Sequence, residues 1–161
     1  MTLEALLPGV AHLQNVHPVV VHAPLGLLPA AVLLYVLAAA TGRDGIAWSG
    51  LGVLVLGTAG AIASAATGLW AMDGVMVDPA VHERLLDVHE RWMLATTALA
   101  IALSGWAVVA RPCPRRGRAA FGLGLLILLV VLTKGADYGG RLVYDYNAGG
   151  SACGQPIEFT R

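Results

Sequence analysis

Residues 19–40 read VVVHAPLGLLPAAVLLYVLAAA, and this stretch decides the fold class because it contains no Asp, Glu, Lys or Arg. Its roughly 22 residues match the length that an α-helix needs to cross a hydrocarbon core about 30 Å thick. Further uncharged runs occupy residues 47–72, 92–110 and 119–133, and the last is short unless it continues past Lys134. The sequence therefore predicts four spans, at approximately residues 18–40, 47–72, 89–110 and 119–138.

The composition agrees with a membrane protein whose main partner is the lipid bilayer. The chain is 57% hydrophobic and 12% charged, whereas soluble domains are about half apolar and a quarter charged. A net charge of zero and an aromatic content of 6% argue against a nucleic-acid partner. The chain has no glycine-rich phosphate loop, His-Glu-x-x-His motif or nucleophile elbow, so nothing supports an enzymatic activity.

Charged loops predict the orientation of the spans. The third loop is rich in arginine without an acidic residue, which marks the cytoplasmic side, whereas the loop at residues 73–91 is mostly acidic and belongs outside. Short connections favour a single-domain, all-α antiparallel four-helix transmembrane bundle over residues 1–161, with both termini and the tail at residues 139–161 on the outer face. The first apolar run is too long for a signal peptide and is expected to stay in the mature protein. The expected location is the bacterial inner membrane.

The histidines are the candidate functional residues, because this topology places all five on the outer side. His22 lies about one helical turn inside the first span, and His89 stands at the head of the third. These two spans run in the same direction, so the two imidazoles can lie level across the bundle, where they suit haem iron, copper or zinc. The five histidines are His12, His17, His22, His82 and His89.

We therefore predict His22 and His89 as metal ligands, with His17 as a supporting group or alternate ligand. His17 and His22 are five residues apart and point about 140° from each other in a continuous helix, so they do not easily share one metal. Pro79 is a natural start for the helix that leads to His89, and such a helix would place His82 and His89 on one face.

Two other features bear on a cofactor. Four small residues of the second span share one helix face, which favours either close helix packing or a groove for a flat cofactor. The Gly139-Gly140 pair permits a sharp turn, after which the tail would fold over the outer mouth. Arg91 or Arg141 would then meet an anionic group such as a haem propionate, although an interfacial anchor is the alternative. The small residues are Gly57, Ala61, Ser64 and Gly68.

Three sequence motifs carry a family resemblance. HPVVVHAP at residues 17–24, GLWAMD at residues 68–73 and GGRLVY at residues 139–144, together with His89, resemble the bacterial membrane family catalogued as domain of unknown function 2231. The resemblance extends from His17 to about Gly149 and implies a four-span protein. Some members are joined to Rieske iron-sulfur or cytochrome domains, which implies work near a respiratory chain. The matching positions are His17, His22, Asp73, His89, Gly140 and Tyr144.

The chain departs from the family pattern at one place. The family often has a histidine followed by glycine shortly after the tyrosine of the last motif, and this chain has Tyr146-Asn147 there. If that histidine is a ligand in other members, its site is lost or altered here. At most one bis-histidine site is then expected.

The resulting hypothesis is a b-type haem protein that transfers electrons near the outer face, to an outer-face redox protein or within a larger membrane complex. Imidazoles at both axial positions of the iron leave no open position for oxygen chemistry and favour electron transfer. The alternatives are a cofactor-free structural subunit and a copper or zinc site that uses His17, His22 and His89. The haem hypothesis predicts an absorption band that disappears in a His22→Ala variant.

Overall fold

The computed structural model describes residues 15–72, 74–75, 77–146 and 148, and these residues form four long helices with no strand among them. Each helix is long and apolar enough to cross a membrane, with a mean hydropathy between 1.8 and 2.1 over its most apolar window. The predicted four-span membrane bundle is confirmed at this level. The helices are α1 (His17–Thr41), α2 (Asp44–Met72), α3 (Pro79–Ala110) and α4 (Arg118–Tyr146).

The helix ends follow local sequence signals. Gly42 adopts φ 68°, in the left-handed region that terminates helices, and its N–H donates to the carbonyl oxygen of Ala38 at 2.9 Å. At the start of α3 the side chain of Asp78 accepts from the N–H of Ala80 at 2.9 Å, and Pro79 occupies the first turn. The helix start predicted at Pro79 is confirmed.

Glycines of α2 allow α1 to pack closely against it. A Cβ atom at Gly57 would lie 2.8 Å from Cδ2 of Leu28, and one at Gly50 would lie 3.3 Å from the ring of Tyr35. The small-residue face of α2 therefore serves helix packing, as expected from one of its two interpretations. Residues later in α2 contact residues earlier in α1, since Gly68 touches His17.

The other neighbouring helices also meet through small and polar residues. Thr58 of α2 and Ser104 of α3 form a buried hydrogen bond of 2.7 Å. Gly124 of α4 receives the side chain of Leu103, and Gly135 of α4 receives Met93. Helices α1 and α4 touch only sparsely, and α1 and α3 occupy opposite corners of the bundle. The centre contains, among others, Leu28, Leu54, Ala100, Leu103 and Leu128.

Helix α4 is longer than predicted, because the turn expected at Gly139-Gly140 does not form. The helix continues without a break to Tyr146, so residues 139–146 are part of α4 and not of a separate tail. Leu142 is only 5% exposed and packs with Leu85 and Leu86 of α3. This apolar contact stabilises the helical conformation of residues 139–146, which two glycines would otherwise weaken.

Candidate functional site

The described histidines lie at one end of the bundle, which we call the histidine end; the opposite arginine end carries the loops at residues 42–43 and 111–117. His89, in the third turn of α3, is the best-positioned of them. Its Nδ1 atom lies 2.7 Å from the carbonyl oxygen of Gly135 on α4. A carbonyl oxygen only accepts, so Nδ1 carries the proton and donates it. In the neutral imidazole of His89, the lone pair of Nε2 is then free.

His17, the first residue of α1, is held in the same tautomer. Its Nδ1 atom lies 3.2 Å from the hydroxyl oxygen of Thr67 on α2. The single hydrogen of that hydroxyl is already directed at the carbonyl oxygens of Ala63 and Ser64, at 2.9 Å and 3.1 Å. The hydroxyl oxygen can then accept from Nδ1–H, and in a neutral His17 imidazole this leaves the lone pair of Nε2 free.

Each imidazole rests on a glycine of the neighbouring helix. A Cβ atom at Gly68 would lie 2.9 Å from Cε1 of His17, and one at Gly139 would lie 2.7 Å from Cε1 of His89. Any larger residue at these positions would displace the ring. Gly68 opens the GLWAMD motif and Gly139 opens the GGRLVY motif, so the motif residues meet in two histidine–glycine pairs.

Both pairs lie at the histidine end, although α1 and α3 are not neighbours. His17 stands in the first turn of α1 and His89 in the third turn of α3, and these two helices occupy diagonal corners of the bundle. Side chains on facing helices are the usual source of cofactor sites in four-helix bundles. His17 and His89 are the two described histidines whose rings bond to a neighbouring helix.

Buried hydroxyl groups continue from this region towards the centre of the bundle. Thr96 is fully buried and donates to the carbonyl oxygen of Trp92 at 2.9 Å, and Thr97 donates to that of Met93 at 2.9 Å. Ser64 is only 3% exposed, and its hydroxyl is without a hydrogen-bond partner among the described residues. Because an unsatisfied buried hydroxyl costs about 1–3 kcal/mol, Ser64 marks a place where a bound group would find a partner.

His22 is not at this site, in contrast to its predicted place opposite His89. Its side chain is exposed, and Nδ1 lies 3.3 Å from the carbonyl oxygen of Val19 in its own helix. The reason is helical phase: Pro24 is buried against α2 near Gly60, and a residue two positions away points about 200° from it. The face of α1 that carries His22 is turned outward.

The remaining predicted residues occupy other places. Arg91 is exposed on α3. Arg141 forms an ion pair of 3.5 Å with Asp145 and lines a surface cavity of about 450 Å³ together with Arg84, Tyr138 and Tyr146. Neither arginine contacts the two imidazoles through a hydrogen bond or ion pair among the described residues. His12, Asp73 and Asn147 lie outside the described residues.

A π-helical turn changes the direction in which His82 points from α3. Residues His82–Leu86 form this turn inside α3, and Nδ1 of His82 lies 3.1 Å from a carboxylate oxygen of Asp87. A π-turn closes its hydrogen bonds one residue later than an α-turn. The spacing of seven residues therefore no longer places His82 on the face of His89.

The partners of the imidazoles were missed by inspection of the sequence. Thr67 and Gly135 are ordinary residues of apolar helices, and nothing local distinguishes them from other threonines and glycines. Gly68 and Gly139 are the first residues of the GLWAMD and GGRLVY motifs, and this position was the only feature of the sequence that pointed to them. Their role follows from the structure, in which the rings of His17 and His89 lie on these glycines.

The ligand set of this region is small. Within the part of the chain that the structure describes, no group of three or more His, Cys, Asp or Glu side chains comes close enough to hold a metal ion. The half-buried thiol of Cys113 lies in the loop at the arginine end. Of the four described histidines at this end, His17 and His89 alone have rings bonded to a neighbouring helix, whereas those of His22 and His82 contact their own helix.

Comparison with known proteins gives one match. No curated protein and no solved structure matches the chain. A family model described as a predicted membrane protein matches residues 13–152, which include the three motifs and both histidine–glycine pairs. The chain therefore belongs to the predicted membrane protein family DUF2231.

Proposed function

We propose that this membrane protein binds haem b between His17 and His89 and transfers electrons through it. The observation that carries the proposal is that both imidazoles use the same ring nitrogen, Nδ1, to contact a neighbouring helix. Each places Nδ1 within hydrogen-bond distance of an oxygen atom on the neighbouring helix, Gly135 O or Thr67 Oγ1, and a neutral imidazole that donates Nδ1–H there has Nε2 available to a metal. Histidines that ligate a metal usually donate their other ring N–H in this way, which fixes tautomer and orientation.

The number of ligands favours haem over zinc. Structural zinc sites use four protein ligands and catalytic zinc sites use three, whereas haem brings its own four nitrogen atoms and needs only axial ligands from the protein. The described residues supply the pair His17 and His89 without a third neighbouring ligand. The hydroxyl of Ser64, which is buried, is available to hydrogen-bond a propionate of a bound haem.

The role of such a haem follows from its axial positions. Haem iron with an imidazole on each side exchanges single electrons and has no free position for a substrate. The contribution of this chain is to hold both imidazoles in one tautomer and to surround the site with apolar helices. Electron transfer is therefore a better proposal than catalysis.

The proposed topology places the site near the outer face. The arginine-rich loop at residues 111–118 would lie in the cytoplasm, and the helices would cross up and down so that both termini are outside. In a bacterial inner membrane, the histidine end would then face an outer-face redox protein, of the Rieske or cytochrome kind, or a larger respiratory complex.

An absorption spectrum of the purified protein, combined with a pyridine haemochrome assay, tests the proposal. We expect a Soret band in the unaltered protein and its loss, or a shift to a high-spin spectrum, in His17→Ala and in His89→Ala. His22→Ala is the matched control, because its exposed imidazole belongs to the same helix end. It should keep the spectrum unchanged, in contrast to the expectation from the sequence.

Two results would overturn the proposal. One is a protein that stays colourless after expression with a haem precursor and after addition of hemin. The other is loss of the spectrum in His22→Ala but not in His17→Ala. To separate loss of a ligand from loss of folding, exogenous imidazole is added to His17→Gly and His89→Gly, where it is expected to restore the low-spin spectrum.

A cofactor-free structural subunit is the second candidate, and one observation favours it. His17 links α1 to α2 through Thr67, and His89 links α3 to α4 through Gly135, so both imidazoles also act as ties between helices. In that case the protein is colourless, and either alanine substitution lowers stability without a spectral change. Elemental analysis of the same sample tests a copper or zinc site.

A further inference from the structure

The arginine end contains a groove between α1 and α4. It has a volume of about 280 Å³ and lies where these two sparsely contacting helices separate. Its walls are apolar: Val32 and Phe121 are buried at its base, while Val36 and Leu126 are exposed at its rim. Small-molecule pockets measure about 300–1,000 Å³, so the groove suits a segment of an apolar chain rather than a whole compact ligand.

Two arginines line the mouth of this groove. Arg43 follows α1 and Arg118 begins α4, and both side chains are exposed. Among the described residues, no carboxylate forms an ion pair with either of them. Asp44 also lines the mouth and partly offsets their charge, but the adjoining loop at residues 111–118 contains four arginines and no acidic residue.

The loop is fixed beside the groove by an aromatic cluster. The hydroxyl of Tyr35, a residue that lines the groove, donates to the carbonyl oxygen of Pro112 at 2.9 Å. The ring of Tyr35 packs edge-to-face on Phe121, with ring centroids 5.1 Å apart. The basic mouth and the apolar walls are therefore parts of one packed unit, although they come from different helices.

We propose that this groove binds a phospholipid with an anionic headgroup, such as phosphatidylglycerol. The phosphate and headgroup would lie at Arg43 and Arg118, and part of one acyl chain would lie along the groove between α1 and α4. Basic pockets between membrane helices recognise anionic lipids in this manner. The N-termini of α2 and α4, which border the mouth, add a favourable field for an anion.

Native mass spectrometry of the detergent-purified protein tests the headgroup contact. Phosphatidylglycerol and phosphatidylcholine are added separately at equal concentration, and we expect tighter binding of the anionic lipid. With ~1 kcal/mol per arginine near the headgroup, the double variant Arg43→Gln/Arg118→Gln should bind phosphatidylglycerol about thirtyfold more weakly. Arg115→Gln/Arg116→Gln, with the same change in charge at the same end of the bundle, should bind almost as well as the unaltered protein.

The acyl-chain contact is tested by filling the groove. A Cβ atom at Gly122, which lines the groove, meets no atom within 4 Å, so a side chain can be introduced there without a clash at its first carbon. Gly122→Leu is expected to reduce binding of phosphatidylglycerol several-fold. Gly105→Leu is the matched control, since Gly105 is exposed on α3 and also has open space.

The outcomes of these experiments distinguish a specific lipid-binding site from general attraction of anionic lipids to the basic end of the protein. Equal binding of the two lipids, or equal losses in the two arginine double variants, would overturn the proposal in favour of diffuse charge. Equal effects of Gly122→Leu and Gly105→Leu would overturn the placement of the acyl chain. Circular dichroism and gel filtration of each variant confirm that the comparison is made between folded proteins.

Discussion

Adjacent glycines in α4 provide the sharpest test of the histidine end. A Cβ atom at Gly139 would lie 2.7 Å from Cε1 and 3.0 Å from Nδ1 of His89, whereas at Gly140 the nearest atom is Cδ2 of Tyr144 at 3.9 Å. Gly139→Ala must therefore displace the imidazole and disturb its 2.7 Å hydrogen bond to Gly135. Gly140→Ala adds a methyl group in ordinary contact distance.

The expected changes in the free energy of unfolding follow from two opposing effects. Overpacking costs about 1–3 kcal/mol, and replacing a helical glycine by alanine gains about 1 kcal/mol. Gly139→Ala should therefore lower the free energy of unfolding by about 0–2 kcal/mol. Gly140→Ala should raise it by up to about 1 kcal/mol. The helix-propensity gain is common to both variants, so their difference of about 1–3 kcal/mol measures the contact with His89.

Equilibrium unfolding in mixed micelles, followed by circular dichroism, measures both free energies. Comparison of the Gly139→Ala and Gly140→Ala variants also distinguishes a helix from a turn at these positions. If Gly140→Ala destabilises the protein as much as Gly139→Ala, the continuous helix or the histidine–glycine contact is wrong. In a haem-loaded sample, Gly139→Ala alone is expected to shift the Soret band.

Two further predictions concern buried hydroxyl groups. Thr67→Val removes the acceptor of His17 Nδ1–H, and haem retention measured by haemochrome assay should fall by about 10–100-fold, whereas the exposed Thr133→Val should leave it unchanged. Thr58 and Ser104 share a 2.7 Å hydrogen bond, so a double-mutant cycle with Thr58→Val and Ser104→Ala should give a coupling energy of about 0.6 kcal/mol, and at most about 1.7 kcal/mol. A coupling energy of zero would contradict that contact between α2 and α3.

The sequence by itself determined the number of helices and the end of the bundle that carries the histidines. Hydropathy, the absence of charge and the length of a run are local properties, and a helix in lipid must satisfy its own backbone hydrogen bonds. The start of α3 at Pro79 was predictable for the same reason, because its capping residues are neighbours in the chain.

Tertiary structure decided which histidine of α1 faces the bundle. Helical spacing separates His17 from His22 by about 140° but does not tell which of the two faces the bundle; that choice is made by the packing of Pro24 against Gly60 and of His17 against Gly68. The continuity of α4 through Gly139-Gly140 was likewise decided by distant contacts. Buried packing of Leu142 on α3 outweighs the weak local preference of two glycines for a turn.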